Sequence, residues 1–400
     1  MSSGMNQTPS GERVHIAFFG RRNAGKSSLV NAFTGQELAI VSDVRGTTTD
    51  PVYKAMELLP LGPVQIIDTP GIDDEGALGE KRIKKTRGVL NKTDLAIIVT
   101  DAPEGLDAPA AELLELVRDK ALPYIIVHNK SDLLPAVPPA GESEIWVSAK
   151  TRQNITELKE LAAKKAGTDE PRRRLISDLL EPGDTVVLVI PIDKAAPKGR
   201  IILPQQQVLR DTLEAGASAL VCRNTELADT LNRLTSPPKM VVTDSQAFEE
   251  VSRIVPESVT LTSFSILMAR YKGDLDLLAR GAMFVDSLHD GSKVLISEGC
   301  THHRQCDDIG TVKLPRWIEA HTGVKPQYFF TSGTEFTETP EDYDYIIHCG
   351  ACMLGEREVA HRIRSAAEKG VPITNYGTLI AHLNGILTRC LSFQSLAAGS

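Results

Sequence analysis

The stretch Val14-His-Ile-Ala-Phe-Phe19, followed directly by Gly20-Arg-Arg-Asn-Ala-Gly-Lys-Ser27, decides the fold of the first part of this chain. The apolar run predicts a buried strand. The second run has the G-x-x-x-x-G-K-[ST] spacing of a phosphate-binding loop, whose backbone N–H groups surround phosphate oxygens. A helix predicted from Ser27 to Phe33 points its positive end at the same phosphates. Strand, loop and helix in this order predict a P-loop nucleotide-binding domain.

Later motifs supply the groups that hold the outer phosphate and its magnesium ion. Lys26 reaches the outer phosphates, and Ser27 is placed for Mg²⁺. Asp68-Thr-Pro-Gly71 follows a predicted strand and supplies an outer-sphere carboxylate for Mg²⁺ and a glycine N–H for the γ-phosphate. Gly46-Thr-Thr-Thr-Asp50 supplies the switch threonine, which we assign to Thr48. We therefore predict Lys26, Thr48 and Gly71 as catalytic residues and Ser27, Thr48 and Asp68 as magnesium residues.

Two motifs near the end of this part select the nucleotide. Asn129-Lys-Ser-Asp132 follows the predicted strand Tyr124-Ile-Ile-Val127, and the Asp132 carboxylate can accept from the guanine N1–H and 2-amino groups. Adenine lacks this pair of donors, so Asp132 selects GTP. Ser148-Ala-Lys150 matches the last base-contacting loop. The predicted GTP-binding residues are Gly20, Asn23, Ala24, Gly25, Lys26, Ser27, Ser28, Asp68, Gly71, Asn129, Lys130, Asp132, Ser148, Ala149 and Lys150.

The second part of the chain carries two groups of possible metal ligands. They are Cys300-Thr-His302 and His348-Cys-Gly-Ala-Cys352, separated by the 45 residues from 303 to 347. Each group follows a strand-like run, Lys293–Ser297 and Tyr343–Ile347. Ligands bind beyond the carboxyl ends of strands in open parallel sheets, where the strand order reverses. Two such ends side by side would bring together three thiolates and up to two imidazoles.

Thiolates with imidazole suit either zinc or an iron–sulfur cluster, and the spacing alone does not choose between them. A zinc ribbon normally shows two short Cys-x-x-Cys pairs, and this chain has one. Three cysteines with a weak or open fourth position suit a four-iron cluster. The alternative is a set of buried cysteines and hydrogen-bonded histidines. Cys390, His321, His361 and His382 have no partners by spacing and are interpreted as structural.

Composition and charge narrow the class of protein. A chain of four hundred residues is too long for a single hydrophobic core, so two or three domains are expected. The net charge of −8 argues against nucleic acid as a partner, and no apolar run reaches the length of a membrane span. Residues 1–12 lack the apolar stretch of a signal peptide. We therefore expect a cytoplasmic protein, whose grouped cysteines serve metal binding or catalysis rather than disulfides.

The GTPase motifs resemble those of one particular group. The loop Gly20–Ser28, together with Ala39-Ile-Val-Ser-Asp-Val-Arg-Gly-Thr-Thr48, is similar to that of the Era and tRNA-modification GTPases. Ile72 stands where Ras has its water-orienting glutamine. The group's K⁺-dependent members use an asparagine that matches Asn23. The resemblance therefore implies a K⁺ ion at Asn23 and a slow, regulatory, K⁺-stimulated hydrolysis of GTP to GDP and phosphate.

The whole chain resembles HydF, the family of maturation GTPases of [FeFe]-hydrogenase. The resemblance implies that Cys300, Cys349 and Cys352 carry a 4Fe-4S cluster and that His302 or His348 is an exchangeable fourth ligand. It also implies a scaffold that receives a transient di-iron subcluster from two radical-SAM maturases and delivers it to apo-[FeFe]-hydrogenase. A homodimer or a higher oligomer is expected.

The corresponding fold is α/β, with a P-loop GTPase domain followed by two smaller doubly wound, mainly parallel α/β domains. We predict a disordered tail over residues 1–12, the GTPase domain over 13–166, a linker over 167–175, a dimerisation domain over 176–262 and an iron–sulfur domain over 263–400. One alternative is a zinc-containing Era-like GTPase that assists RNA modification or ribosome assembly. Another is a metal chaperone with GTP-gated release of a single ion.

Overall fold

The computed structural model describes residues 8–21, 23–35, 51–71, 86–167, 174–192, 201–299, 308–333 and 336–394. The predicted site residues Thr48, Cys300 and His302 lie outside these ranges, as does most of the predicted linker. The chain divides into two compact units, Met1–Pro171 and Arg172–Ser400. No helix in the described ranges is both long enough and apolar enough to span a membrane.

The first unit contains a six-stranded sheet in the order β2-β3-β1-β4-β5-β6. Strand β2 is antiparallel to β3, and the other neighbours pair in parallel. The strands are β1 Val14–Gly20, β2 Val52–Leu58, β3 Gly62–Asp68, β4 Leu95–Asp101, β5 Tyr124–Asn129 and β6 Glu144–Trp146, and the helices are α1 Lys26–Thr34, α2 Ala108–Asp119 and α3 Ile155–Ala166.

Alternation along β1 explains why helices cover both faces of this sheet. Ile16 and Phe18 point to one face, where they pack in one core with Phe33 of α1. Ala17 and Phe19 point to the other face and join a second core with residues of α2. Successive side chains of a strand point to opposite faces, so a continuous apolar run is the expected sequence of a strand buried on both sides.

The start of this unit differs from the prediction. Ser10–Glu12, within the segment predicted as a disordered tail, forms a short 3-10 turn. The backbone N–H of Glu12 donates to the carbonyl of Pro9 at 3.0 Å, and the Ser10 hydroxyl lies 3.3 Å from a ring nitrogen of His15. These contacts attach the turn to the first strand.

The second unit contains two four-stranded sheets, in the orders β10-β9-β7-β8 and β12-β11-β13-β14, and all their neighbouring strands are parallel. One continuous apolar core runs through both sheets. The strands are β7 Thr185–Val189, β8 Ser218–Cys222, β9 Met240–Thr243, β10 Thr260–Ser263, β11 Lys293–Glu298, β12 Gln327–Ser332, β13 Tyr345–His348 and β14 Ile373–Asn375. The helices are α4 Leu203–Glu214, α5 Leu227–Asn232, α6 Phe248–Ile254, α7 Phe264–Lys272, α8 Leu275–Met283, α9 Leu314–Thr322, α10 Glu356–Glu368, α11 Tyr376–Leu383 and α12 Leu387–Cys390.

One predicted helix starts later than expected. The sequence predicts a helix from Thr262 to Arg270, but Thr260–Ser263 forms β10 and the helix begins at Phe264. The four residues of β10 complete the sheet by pairing with β9. The Ser263 hydroxyl then accepts a hydrogen bond from the N–H of Ile266, so this serine ends the strand and caps the helix. The domain boundary predicted between residues 262 and 263 stays a prediction.

The last sheet reverses its strand order between β11 and β13. The chain passes from β11 to β12 on one side and then returns to β13 on the other side. The two strands pair in parallel, with Ser297 opposite His348. The segments that follow β11 and β13 therefore leave the sheet side by side, at the type of position where open α/β sheets bind ligands.

Candidate functional site

The predicted nucleotide loop is held in place by Asn129. The Nδ2 group of Asn129 donates to the carbonyl of Ala24 at 2.9 Å, and Oδ1 accepts from the N–H of Ala149 at 3.0 Å. Gly25 has a positive φ of 77°, and a Cβ atom there would lie 2.3 Å from Nδ2 of Asn129. The close approach of Asn129 therefore requires glycine at position 25. One amide connects the loops that follow β1, β5 and β6.

The predicted magnesium and phosphate groups meet at the ends of β1 and β3. The Lys26 ammonium forms an ion pair with the Asp68 carboxylate, and both residues are buried. The Ser27 hydroxyl donates to Oδ2 of Asp68 at 2.9 Å. Gly71 is the last described residue after β3. Thr48, the third predicted magnesium residue, lies outside the described residues.

The predicted base-binding residues also contact one another. The Ser148 hydroxyl donates to Oδ1 of Asp132 at 2.6 Å and accepts from the N–H of Thr151 at 3.1 Å. Lys130 has a positive φ of 67° and donates to Asp101 at the end of β4. These contacts fix the orientation of the Asp132 carboxylate.

The other predicted nucleotide residues surround this arrangement. Asn23 is exposed and has a positive φ of 63°. A Cβ atom at Gly20 would lie 2.5 Å from the carbonyl oxygen of Val99, so glycine is also required there. Ser28 lies in the first turn of α1, and Lys150 is exposed after β6.

The second predicted site lies where β11 and β13 end. Cys349 follows β13, and its Sγ accepts hydrogen bonds from the N–H of Gly299 at 3.0 Å and of Ala351 at 3.4 Å. Gly299 is the residue before Cys300, which itself lies outside the described residues. Sequence positions 299 and 349 are thus in direct contact, as the side-by-side strand ends predict.

The two described cysteines of this site are partly buried. Burial raises the pKa of Cys349 to about 11. Burial also raises the pKa of Cys352, although the nearby Lys272 ammonium acts in the opposite direction. A cysteine binds a metal as the thiolate, so metal binding releases the proton of the thiol. The raised pKa values therefore favour the protonated thiols until a metal binds.

A buried lysine that the sequence analysis did not identify supports the Cys349–Cys352 segment. Lys272, in the last turn of α7, is 2% exposed. Its ammonium donates to the carbonyls of Ala351 at 3.4 Å, Cys352 at 3.2 Å and Leu354 at 2.7 Å. A buried ammonium needs such acceptors because desolvation of an isolated charge is unfavourable. No local pattern marks this lysine, since it lies 77 residues before Cys349 in the chain.

His348 is buried and uses both ring nitrogens. Nδ1 lies 2.8 Å from the carbonyl of Cys349, and Nε2 lies 3.2 Å from an Nη1 of Arg362. Arginine can only donate, so Nε2 is the acceptor and Nδ1 carries the proton. Burial, followed by the charge of Arg362, lowers the pKa of His348 to about 3. His348 could act as a metal ligand through Nε2 only after losing the Arg362 bond, so that role stays a prediction.

Arg362 is a second buried cation that the sequence analysis missed. It is 1% exposed and donates to the Ser297 hydroxyl at 3.2 Å, the Gly333 carbonyl at 2.9 Å and the Glu358 carboxylate at 2.7 Å. Together with His348, these partners join the ends of β11 and β13 to helix α10. The arginine therefore stabilises the strand ends that carry the cysteines.

His321 and His382, interpreted from the sequence as structural because spacing gave them no partners, share one partner in the structure. Nε2 of each ring lies 2.8 Å from the carboxylate of Asp286. The three residues come from separate elements distant in sequence, so spacing gave no signal of their contact. Cys390, interpreted from the sequence as structural, is completely buried.

Family models match nearly all of the second unit. A model described as the hydrogen maturase F dimerization domain matches residues 175–273, and one described as the hydrogen maturase F tetramerization domain matches residues 276–393. A third model, described as 50S ribosome-binding GTPase, matches residues 15–130 in the first unit.

Curated relatives are similar over little more than a third of the chain. The tRNA modification GTPase MnmE of Chromobacterium violaceum is 37% identical over 153 residues, which cover 37% of this chain and 34% of the relative. MnmE of Nitrosospira multiformis is 34% identical over 156 residues, which cover 37% of this chain and 34% of the relative. The chain thus spans about a third of the length of these relatives.

Solved structures are similar to this chain with lower sequence identity than the curated relatives. Era in complex with MgGDPNP and a segment of 16S ribosomal RNA has a TM-score of 0.35 and 20% identity, covering 52% of this chain and 93% of that chain. An Aquifex aeolicus Era variant bound to GDP and aluminium fluoride has a TM-score of 0.35 and 20% identity, covering 60% of this chain and 97% of that chain.

The fold and the site define a class of protein. The glycine-rich loop, the six-stranded sheet and the GTPase family model make the first unit a P-loop GTPase domain, and two parallel α/β sheets follow it. The dimerization and tetramerization models then identify the second unit, and together they span more than half of the chain. The chain belongs to HydF, the hydrogen maturase F family of hydrogenase maturation GTPases.

Proposed function

We propose that this chain is a GTP-hydrolysing scaffold that carries a 4Fe-4S cluster and delivers a di-iron subcluster to apo-[FeFe]-hydrogenase. Two radical-SAM maturases supply the subcluster, and the reaction sequence takes place in the cytoplasm. The observation that carries the proposal is the contact between Gly299 and Cys349 in a chain of the HydF family. Because Cys300 directly follows Gly299 in the sequence, this contact supports a site that Cys300 shares with Cys349 and Cys352.

In the proposed GTPase reaction, GTP is converted to GDP and phosphate. Lys26 binds the outer phosphates, Gly71 donates its N–H to the γ-phosphate, and Ser27, Asp68 and Thr48 hold Mg²⁺. The contact between the Ser27 hydroxyl and the Asp68 carboxylate supports this assignment, since both groups already face one position. Ile72 cannot orient a water molecule as a glutamine does, so we propose slow hydrolysis that K⁺ at Asn23 stimulates.

The chemistry of the described donors fits a cluster held by Cys300, Cys349 and Cys352. The Cys349 sulfur already accepts two backbone N–H bonds, which are the kind that tune iron–sulfur clusters. Lys272 places a buried positive charge behind the Cys352 segment, where it offsets thiolate charge. When bound, a three-cysteine cluster supplies an iron with one position for an exchangeable ligand. His302 is a candidate for that position, and His348 is one only if it leaves Arg362.

Self-association is proposed through the sheet of the dimerization domain. Among the described residues, β8 is an edge strand of its sheet. It pairs with β7 on one side, and no described strand pairs with its other side. Leu220 is 37% exposed and Val221 is 50% exposed on this strand. An outward strand edge with apolar side chains can pair with another chain. The occupant we propose is a second copy of this chain, which extends the sheet across a homodimer; the tetramerization model supports a higher oligomer.

The proposal is tested by anaerobic reconstitution with iron and sulfide. The 400-residue chain should bind about four irons and give the EPR signal of a reduced four-iron cluster. The Cys349→Ser/Cys352→Ser variant should lose both, and Cys222→Ser serves as a matched control because Cys222 lies outside the site. Zinc gives no such signal. Full iron content and full activation of apo-hydrogenase by the double variant would overturn the proposal.

A further inference from the structure

We propose that Asp286, His321 and His382 form a second metal site, which binds one divalent first-row transition-metal ion such as Zn²⁺. The carboxylate lies between the two rings, with Oδ1 2.8 Å from Nε2 of His321 and Oδ2 2.8 Å from Nε2 of His382. One ligand atom from each residue lies within 4.8 Å of the other two. Two imidazoles and one carboxylate are a ligand set for zinc and for iron(II).

The geometry is already close to that of a coordination sphere. Zinc binds imidazole nitrogen and carboxylate oxygen at about 2.0–2.2 Å, which places neighbouring ligand atoms roughly 3 Å apart. The carboxylate-to-ring distances are near this separation. The two ring centroids are 5.8 Å apart at an interplanar angle of 63°, so the rings converge on the carboxylate without stacking. A small movement would let all three donors face one ion.

The surrounding backbone also favours a cation. His321 lies in the last turn of α9 and His382 in the last turn of α11. Asp286 lies in the 3-10 turn Phe284–Ser287, which continues α8. The carboxyl end of a helix carries partial negative charge and stabilises cations. Three helix ends of this kind therefore meet at the three side chains.

The position is accessible and separate from the cysteines. The Asp286 side chain is 51% exposed, that of His321 34% and that of His382 19%, so an ion and its water ligands can enter from solvent. Asp286 precedes β11 and His321 precedes β12, whereas Cys349 follows β13. These strands are parallel, so the Asp286 site lies at the amino ends of the strands and Cys349 lies at their carboxyl ends.

The experiment uses Co²⁺ as a spectroscopic probe of the 400-residue chain. Cys300, Cys349 and Cys352 are replaced by serine in every sample, so that those thiolates cannot compete for the ion. The parent should bind one equivalent of Co²⁺ with weak visible d–d bands and no intense thiolate charge-transfer band. His382→Ala and Asp286→Asn should each weaken binding by about 100-fold or more, because each removes a direct ligand.

His289→Ala is the matched control, since His289 is an exposed histidine that makes its ring contact with the carbonyl of Asp290 rather than with this cluster. It should bind Co²⁺ like the parent. Circular dichroism verifies that each variant is folded. Equal Co²⁺ affinity in the parent and in the folded His382→Ala and Asp286→Asn variants would overturn the proposal. So would a parent that binds no Co²⁺ with histidine-type d–d bands.

Discussion

The backbone N–H of Gly299 lies 3.0 Å from the sulfur of Cys349, although the two residues are 50 positions apart in the chain. The contact exists because β11 and β13 are neighbours and end at the same level of the sheet. A Cβ atom at position 299 would lie 2.7 Å from the buried side chain of Leu354, so glycine at this position leaves room for that leucine. This single relationship supports the convergence of the two cysteine motifs.

We expect Lys272→Met to impair the cysteine segment. Methionine has a similar length but cannot donate, so the carbonyls of Ala351, Cys352 and Leu354 lose a buried partner. Leaving buried acceptors unsatisfied costs about 1–3 kcal/mol for each group that finds no other partner. Iron bound per chain after anaerobic reconstitution should fall at least about twofold, and the free energy of unfolding of the second unit should decrease by about 2 kcal/mol.

Lys369→Met is the control for this prediction. Lys369 pairs with Glu341 at 2.9 Å, and both side chains are about half exposed. An exposed pair contributes about 0–1 kcal/mol, so iron content and stability should stay near those of the parent. Unchanged iron content in Lys272→Met would contradict a role for the lysine in shaping the site.

We expect Arg362→Met to destabilise the second unit strongly. Glu358 and Arg362 form an i,i+4 pair whose side chains are 8% and 1% exposed. Removing one partner leaves the Glu358 charge buried, which costs about 3–5 kcal/mol. Trp317 in α9 can report this unfolding in urea when Trp146 of the first unit is replaced by phenylalanine, because the chain has 2 tryptophans.

Glu249 and Arg253 provide the matched control for the buried pair. They have the same i,i+4 spacing and order, but their side chains are more than two thirds exposed. Arg253→Met should change the free energy of unfolding by about 0.5 kcal/mol or less. If the two variants lose similar stability, burial does not control the strength of the Glu358–Arg362 pair.

Local sequence patterns predict the elements that consist of a continuous apolar run or a continuous motif. They fail for elements that form only through pairing with residues distant in the sequence. The apolar runs of β1 and β4 and the loop after β1 are visible because each is continuous. Strand β2 is mostly exposed and antiparallel at the sheet edge, and no motif marks it. Strand β10 is four residues long and is recognisable only through its pairing with β9.

The candidate sites show the same division. The order of the GTPase motifs and the cysteine spacing predict which residues belong together. Lys272, Arg362 and Asp286 were missed because a charged residue gives no sequence signal of its burial or of a distant partner. Their roles depend on helix packing that joins residues far apart in the chain, and spacing does not encode it.

We expect Asp132→Asn to change the preferred base. The Asp132 carboxylate is oriented by the Ser148 hydroxyl at 2.6 Å, and an asparagine oxygen can keep that bond. The amide N–H₂ group then meets the guanine 2-amino donor, so GTP binding should weaken by about 100-fold or more. Xanthine has a carbonyl at that position, and xanthosine triphosphate should bind more tightly to the variant than to the parent.

The measurement is competition between the two nucleotides for a fluorescent analogue. Asp119→Asn, at the exposed end of α2, has the same change in charge and should keep the parent's preference for GTP. A variant at position 132 with unaltered base preference would show that Asp132 does not read the guanine edge.

Gly25→Ala should weaken GTP binding while Gly35→Ala should not, although both glycines have a left-handed backbone, with φ of 77° and 70°. The strain of about 1–2 kcal/mol is common to both substitutions. A Cβ at position 25 additionally meets the Asn129 amide at 2.3 Å, whereas position 35 has nothing within 4 Å. Displacing Asn129 separates the phosphate loop from Ala149, so the GTP dissociation constant of Gly25→Ala should rise about tenfold or more. Equal dissociation constants in the two variants, measured by isothermal titration calorimetry with Mg²⁺, would show that the Asn129 contact does not organise the loop.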